Sequence, residues 1–109
     1  MARVDEKYVA DYLQRAELLR GLEFKPVPAD DEGVDAAVEV WRDGSKLDSL
    51  EIQVGGGYVA LNRYGYQRPG DPASFYMQPL ADFGVQPEDL AELVKAVNLE
   101  VLRLAKAAA

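Results

Sequence analysis

The chain has 109 residues, 49% of them apolar and 28% charged, with 19 acidic side chains against 12 basic ones and a formal charge of −7. That length suits one domain, and the apolar share is too high for a disordered chain. Cysteine and histidine are both missing. This excludes disulfide frameworks, thiol nucleophiles, cysteine-based zinc sites and iron–sulfur clusters, and it removes the commonest general base and metal ligand.

Residues 5–20 read as an amphipathic helix, because Val9, Tyr12, Leu13, Ala16 and Leu19 recur at helical spacing and Gly21 is placed to end it. Leu22 to Lys25 alternate like a short strand, which Pro26 and Pro28 break, and residues 30–33 form a polar loop. Residues 34–42 alternate as a strand. Asp43-Gly44 is a hairpin signal, and residues 47–54 return as the next strand. Gly55-Gly56-Gly57 is a second turn, leading into a strand over 58–66. Gly65 inside that strand suggests a bulge or a close backbone approach. After a Pro/Gly loop at 67–72, residues 74–78 form a fourth strand, which Pro79 limits to a short or edge position. Pro87, Glu88 and Asp89 open a long helix whose stripe is Leu90, Leu93, Val94, Val97, Val101, Leu104 and Ala105. Leu99 and Leu102 lie off that stripe, which marks them as a candidate homodimer seam. The order predicts an α+β fold: an N-terminal helix, a four-stranded antiparallel meander (five with residues 22–25), and a long C-terminal helix, with the helices on one sheet face.

Side chains alternate between the two faces of a sheet. One parity is wholly apolar: Ala36, Val38, Val40, Leu50, Ile52, Val54, Val59, Leu61, Phe75 and Met77. It is expected beneath the helices. The other parity carries Ala37, Glu39, Trp41, Glu51, Gln53, Tyr58, Ala60, Asn62, Tyr64, Tyr66, Ser74, Tyr76 and Gln78. Sheet propensity alone favours aromatics there. Trp, Tyr and Arg also dominate protein interfaces, since they bury much area at little entropic cost and keep a polar tip. The candidate partner-binding set is therefore Trp41, Tyr58, Tyr64, Tyr66 and Tyr76, with Arg63 and Arg68 at one end and Glu39 and Glu51 toward the other. The stretch 62–71 is the candidate binding loop.

The charge is uneven. Residues 30–51 hold eight acids and two bases, a net of −6, whereas 55–109 carry −1. An acidic rim of Asp30, Asp31, Glu32, Asp35, Asp43 and Asp48 fits either a solubilising surface or steering toward a basic partner. The same balance argues against direct nucleic-acid or membrane binding. No apolar run approaches the roughly 20 residues that span a bilayer, and residues 1–8 lack the apolar core of a secretion signal. A cytoplasmic location is expected.

Catalytic motifs are weak. The glycine triplet leads into a strand rather than the helix that a phosphate cradle needs. The acids at 30–35 do not match a calcium-loop spacing. Ser45, Ser49 and Ser74 are the only serines, and no histidine exists to activate one. No catalytic residue, cofactor or metal is expected. In acidity, size and element order the chain resembles type III secretion chaperones and small immunity or anti-defence inhibitors. That resemblance implies a non-catalytic inhibitor or escort and assigns no residue a role; the acidic charge suits a basic macromolecular partner. A small ligand-binding or catalytic domain with a pocket at the sheet edge is the alternative, and a self-associating structural protein is the third reading.

Overall fold

The computed structural model describes residues 5–29 and 36–108. Asp5 caps the first helix, α1 (Glu6–Arg15), by accepting a hydrogen bond from the Tyr8 N–H. The helix is shorter than its periodicity predicts. Ala16 is extended, a 3-10 turn follows at Glu17–Leu19, and Gly21 adopts φ +93°. No proline or glycine marks the break at Ala16. Its effect is to turn Leu19 into the core while Leu18 stays exposed.

The sheet runs β1 (Leu22–Val27), β2 (Ala36–Arg42), β4 (Leu50–Val54), β5 (Val59–Tyr66) and β6 (Phe75–Phe83), each antiparallel to its neighbour, with the two-residue β3 (Ser45–Lys46) paired to β2. Asp43 (φ 53°) and Gly44 (φ 79°) make the predicted two-residue turn, whose twist requires positive φ at both positions. The strand expected over 47–54 is interrupted. Trp41 pairs with Lys46 but Val38 pairs with Ile52, so Leu47, Asp48 and Ser49 loop out between β3 and β4. Ser49 still accepts from the Tyr64 N–H at 2.9 Å, which ties the loop to β5.

Strand β6 runs five residues past its predicted end, straight through Pro79. It can do so because β6 is an edge strand, where a missing N–H costs no ladder bond. The register slips beside Pro79. Asn62 faces Pro79 but Leu61 faces Ala81, leaving Leu80 as a bulge. Gly65 is thus not the bulge. It sits in regular register opposite Tyr76, and an added Cβ would lie 2.8 Å from the Tyr76 hydroxyl.

Helix α2 (Pro87–Ala108) begins where Asp89 accepts from the Gln86 N–H. It buries Leu90, Leu93, Val94, Val97 and Val101. These meet Val9 and Leu13 of α1 and the inward row Phe24, Val38, Val40, Leu50, Ile52, Val59 and Leu61. The Tyr12 hydroxyl donates to the Pro87 carbonyl, fastening α1 to the start of α2. No helix among the described residues is long and apolar enough to cross a membrane.

Candidate functional site

With both helices on one face, the opposite face of the sheet holds an open cleft of about 520 Å³. Its lining includes Val27, Ala37 and Glu39 on one side, Asp48, Glu51, Gln53 and Asn62 along the floor, and Tyr64 and Met77 on the other side. Asn62 is the one buried polar residue among those described, 4% exposed, and its amide donates to Gln53 at 3.4 Å.

Trp41 is held in place by charged neighbours. The Lys25 ammonium sits 3.8 Å above the ring centroid, a cation–π contact. The indole N–H donates to Glu39 at 3.1 Å, and Glu39 also pairs with Lys46 at 3.3 Å. The Trp41 hydrogen bond, aided by Lys46 and Lys25, holds the Glu39 carboxyl below its ordinary pKa against the opposing effect of burial. Strand pairing explains the cluster. Lys25 faces Glu39 across β1–β2, and Lys46 faces Trp41 across β2–β3, so all four side chains share one face.

Across the cleft, burial pushes the Tyr64 phenol up to about 12, and its hydrogen bond and charge contact with Glu51 add to the shift. The Tyr64 ring stacks on Phe75 at 5.7 Å, and Tyr66 meets Phe75 edge-on at 5.3 Å. Phe75 and Met77 therefore lie on the cleft face, about half exposed, and not beneath the helices as their apolar character suggested. The register gives the reason. Tyr64 faces Met77 and Tyr66 faces Phe75, so these four residues share a side.

Tyr76 and Gln78 consequently fall on the helix side, and with them Arg63. Arg63 is not a partner-facing cation. Its Nε and Nη2 donate to the two carboxylate oxygens of Glu100 on α2, at 3.2 and 2.7 Å, and Nη1 donates to Gln78 at 3.3 Å. Arg103 adds a third bond to Glu100 at 3.1 Å. Burial alone would raise the Glu100 carboxyl, but the hydrogen bonds from Arg63 and Arg103 outweigh it and hold the pKa below its ordinary value. The Glu100 bond likewise raises the pKa of Arg63. Arg63 has the same parity as Val59 and Leu61, a signal already present in the sequence.

The remaining candidates scatter. Tyr58 lies outside the strands against Gly55, at the β4–β5 turn, where a Cβ on Gly55 would strike the Tyr58 ring. Arg68 pairs with Asp71 inside its own loop at 2.8 Å. Of the acidic rim, Asp48 borders the cleft, and Asp43 sits at the other end of β2 near Leu18 and Leu102. Asp30, Asp31, Glu32 and Asp35 lie outside the described residues. Leu99 and Leu102 are both exposed on α2, and Leu102 borders the groove that Leu18 and Asp43 also line. Among the described residues no three acidic side chains gather as a metal site would require. Sequence reasoning missed the Lys25–Trp41 contact and the outward Phe75 and Met77.

In comparisons with known proteins, no family model matches the chain, and no curated protein or solved structure matches it.

Proposed function

We propose that this protein is a non-catalytic binding module that captures a basic partner protein on the cleft face of its sheet. The observation that carries the reading is the set of aromatic side chains on the face opposite the helices: Tyr64 lines the cleft with Phe75 stacked on it and Tyr66 beside Phe75, and Trp41 stands next to the cleft, bonded to its lining residue Glu39. Trp and Tyr in such positions supply large contact area with few rotamers to freeze. Trp41 is already fixed by Lys25 and Glu39, and Tyr64 by Glu51 and Phe75, so less order is lost on binding. The acids on this face, Glu39, Asp48 and Glu51, and the net charge of −7 favour encounter with a positively charged surface.

A catalytic pocket at the sheet edge receives less support. The cleft is open, and its two strand carboxylates are engaged, Glu39 by Trp41 and Lys46, Glu51 by Tyr64. The test is capture on the immobilised protein at low and high salt, followed by titration of the purified partner. Trp41→Ala and Tyr64→Ala are each expected to weaken binding about tenfold or more, while Leu99→Ala leaves it intact. Wild-type affinity in the Trp41→Ala/Tyr64→Ala double variant would overturn the proposal.

A further inference from the structure

The sheet has two edges, β1 and β6, and they are finished differently. On β1 the Gln14 side chain acts as a strand substitute. Its Nε2 donates to the Leu22 carbonyl and its Oε1 accepts from the Phe24 N–H, both at 2.9 Å. The next outward position is Pro26, which has no N–H to offer. That edge is closed.

On β6 the Ser74 carbonyl accepts from the Gln67 N–H at 3.2 Å, which sets the alternation of the ladder. The main chains of Ser74, Tyr76 and Gln78 face β5, and those of Phe75, Met77 and Pro79 face away. Phe75 has its N–H bonded to the Pro72 carbonyl, and Pro79 has none. Met77 alone in this stretch therefore presents both a donor and an acceptor outward. The side chains beside it, Phe75 and Met77, are 51% and 50% exposed. Residues 75–81 carry no charge in a chain whose net charge is −7.

From these features we infer that the β6 edge is a contact for a second copy of this chain, with a two-fold axis beside Met77. Antiparallel pairing of Met77 with its counterpart satisfies both N–H groups and both carbonyls by symmetry, and no other N–H between 75 and 79 is stranded. Two chains of −7 repel each other over most of their surface, and this uncharged stretch is where they can approach. The apolar rings and thioethers of both copies then cover one another. The 3-10 turn at Pro72–Ser74 and the proline at 79 confine the ladder to a few residues, so the contact is weak and reversible. The two cleft faces become one continuous surface, with the Met77 side of each cleft at the junction and Trp41, on β2, away from it. This contact does not rest on the proposed partner binding and stands or falls without it.

The experiment is sedimentation equilibrium from micromolar to millimolar protein, with amide hydrogen exchange at both ends of the range. The expected result is a rise from monomer to dimer mass, with slowed exchange of the Met77 amide at high concentration. Met77→Pro removes the outward N–H, which the monomer does not use, and Met77→Lys places like charges face to face; both are expected to remain monomeric with wild-type circular dichroism. Should Met77→Pro fail to fold, Met77→Lys decides. Leu99→Glu and Leu102→Glu are expected to dimerise like wild type. A monomer throughout the range, a dimer that persists in Met77→Lys, or a dimer lost in Leu99→Glu would each overturn the inference.

Discussion

Replacing Glu100 by Gln probes the bond between sheet and helix most sharply. The wild-type carboxylate accepts three charge-assisted hydrogen bonds, two from Arg63 and one from Arg103, with its side chain 12% exposed and that of Arg63 23% exposed. Gln keeps the shape but loses the charge and one strong acceptor. A fully buried ion pair broken on one side costs about 3–5 kcal/mol. Arg63 reaches some water, so its guanidinium partly rehydrates, and about 1–2 kcal/mol is the expected loss. Urea unfolding of wild type, Glu100→Gln, Arg63→Met and the double variant at neutral pH reads this as a shift in midpoint, and the cycle isolates a coupling of about 1 kcal/mol or more. The pH dependence has a definite sign. The folded pKa of Glu100 lies below its ordinary value of 4.5. Its contribution is thus complete above about 4.5 and is lost as pH falls through the lower folded value. Glu100→Gln should flatten that acid limb. A Glu100→Gln protein within about 0.3 kcal/mol of wild type, with an unchanged acid limb, would refute the reasoning and return Arg63 to the pool of partner-facing cations.

Two further outcomes follow from the same geometry. Burial pushes the Tyr64 phenol from 10.0 up to about 12; a raised folded pKa gives stability that is present below 10.0 and lost as pH rises toward 12, and ultraviolet difference titration should show a late component that disappears in Tyr64→Phe. Gln14→Ala removes both bonds that close the β1 edge; a loss of about 1–2 kcal/mol in urea unfolding is expected, with faster amide exchange at Phe24, and unchanged exchange there would contradict the strand-substitute role.

Much of the fold was legible in the residues. The stripe of α2, the Asp43-Gly44 turn and the inward rows of β2 and β4 follow from periodicity, since a buried face imposes its period on the sequence. Strand β6 shows where that logic stops. Phe75 and Met77 are more apolar than Tyr76 and Gln78, so polarity assigned them to the core. Where they cross β5, however, the helix side of the sheet is occupied by Arg63 and Glu100, and the apolar pair faces outward. Parity within a strand is readable; which parity faces inward depends on what lies across it, and the Leu80 bulge switches the phase midway. The candidate site was legible in part for the same reason. Trp41, Glu39, Glu51 and Tyr64 sit on strands with a clear inner row, and they share the outer face, Trp41 bonded to Glu39 and Tyr64 to Glu51. Arg63 and Tyr76 were misplaced, and Asp48 enters the cleft because of a looped-out triplet with no marker in the sequence.

Trp41 is the only tryptophan in the chain and stands beside the cleft, so its fluorescence reports on the proposed surface without any label. Titration with the purified partner should shift its emission to shorter wavelength and shield it from acrylamide quenching. Saturated binding with emission and quenching unchanged would mean that the partner sits elsewhere on the molecule.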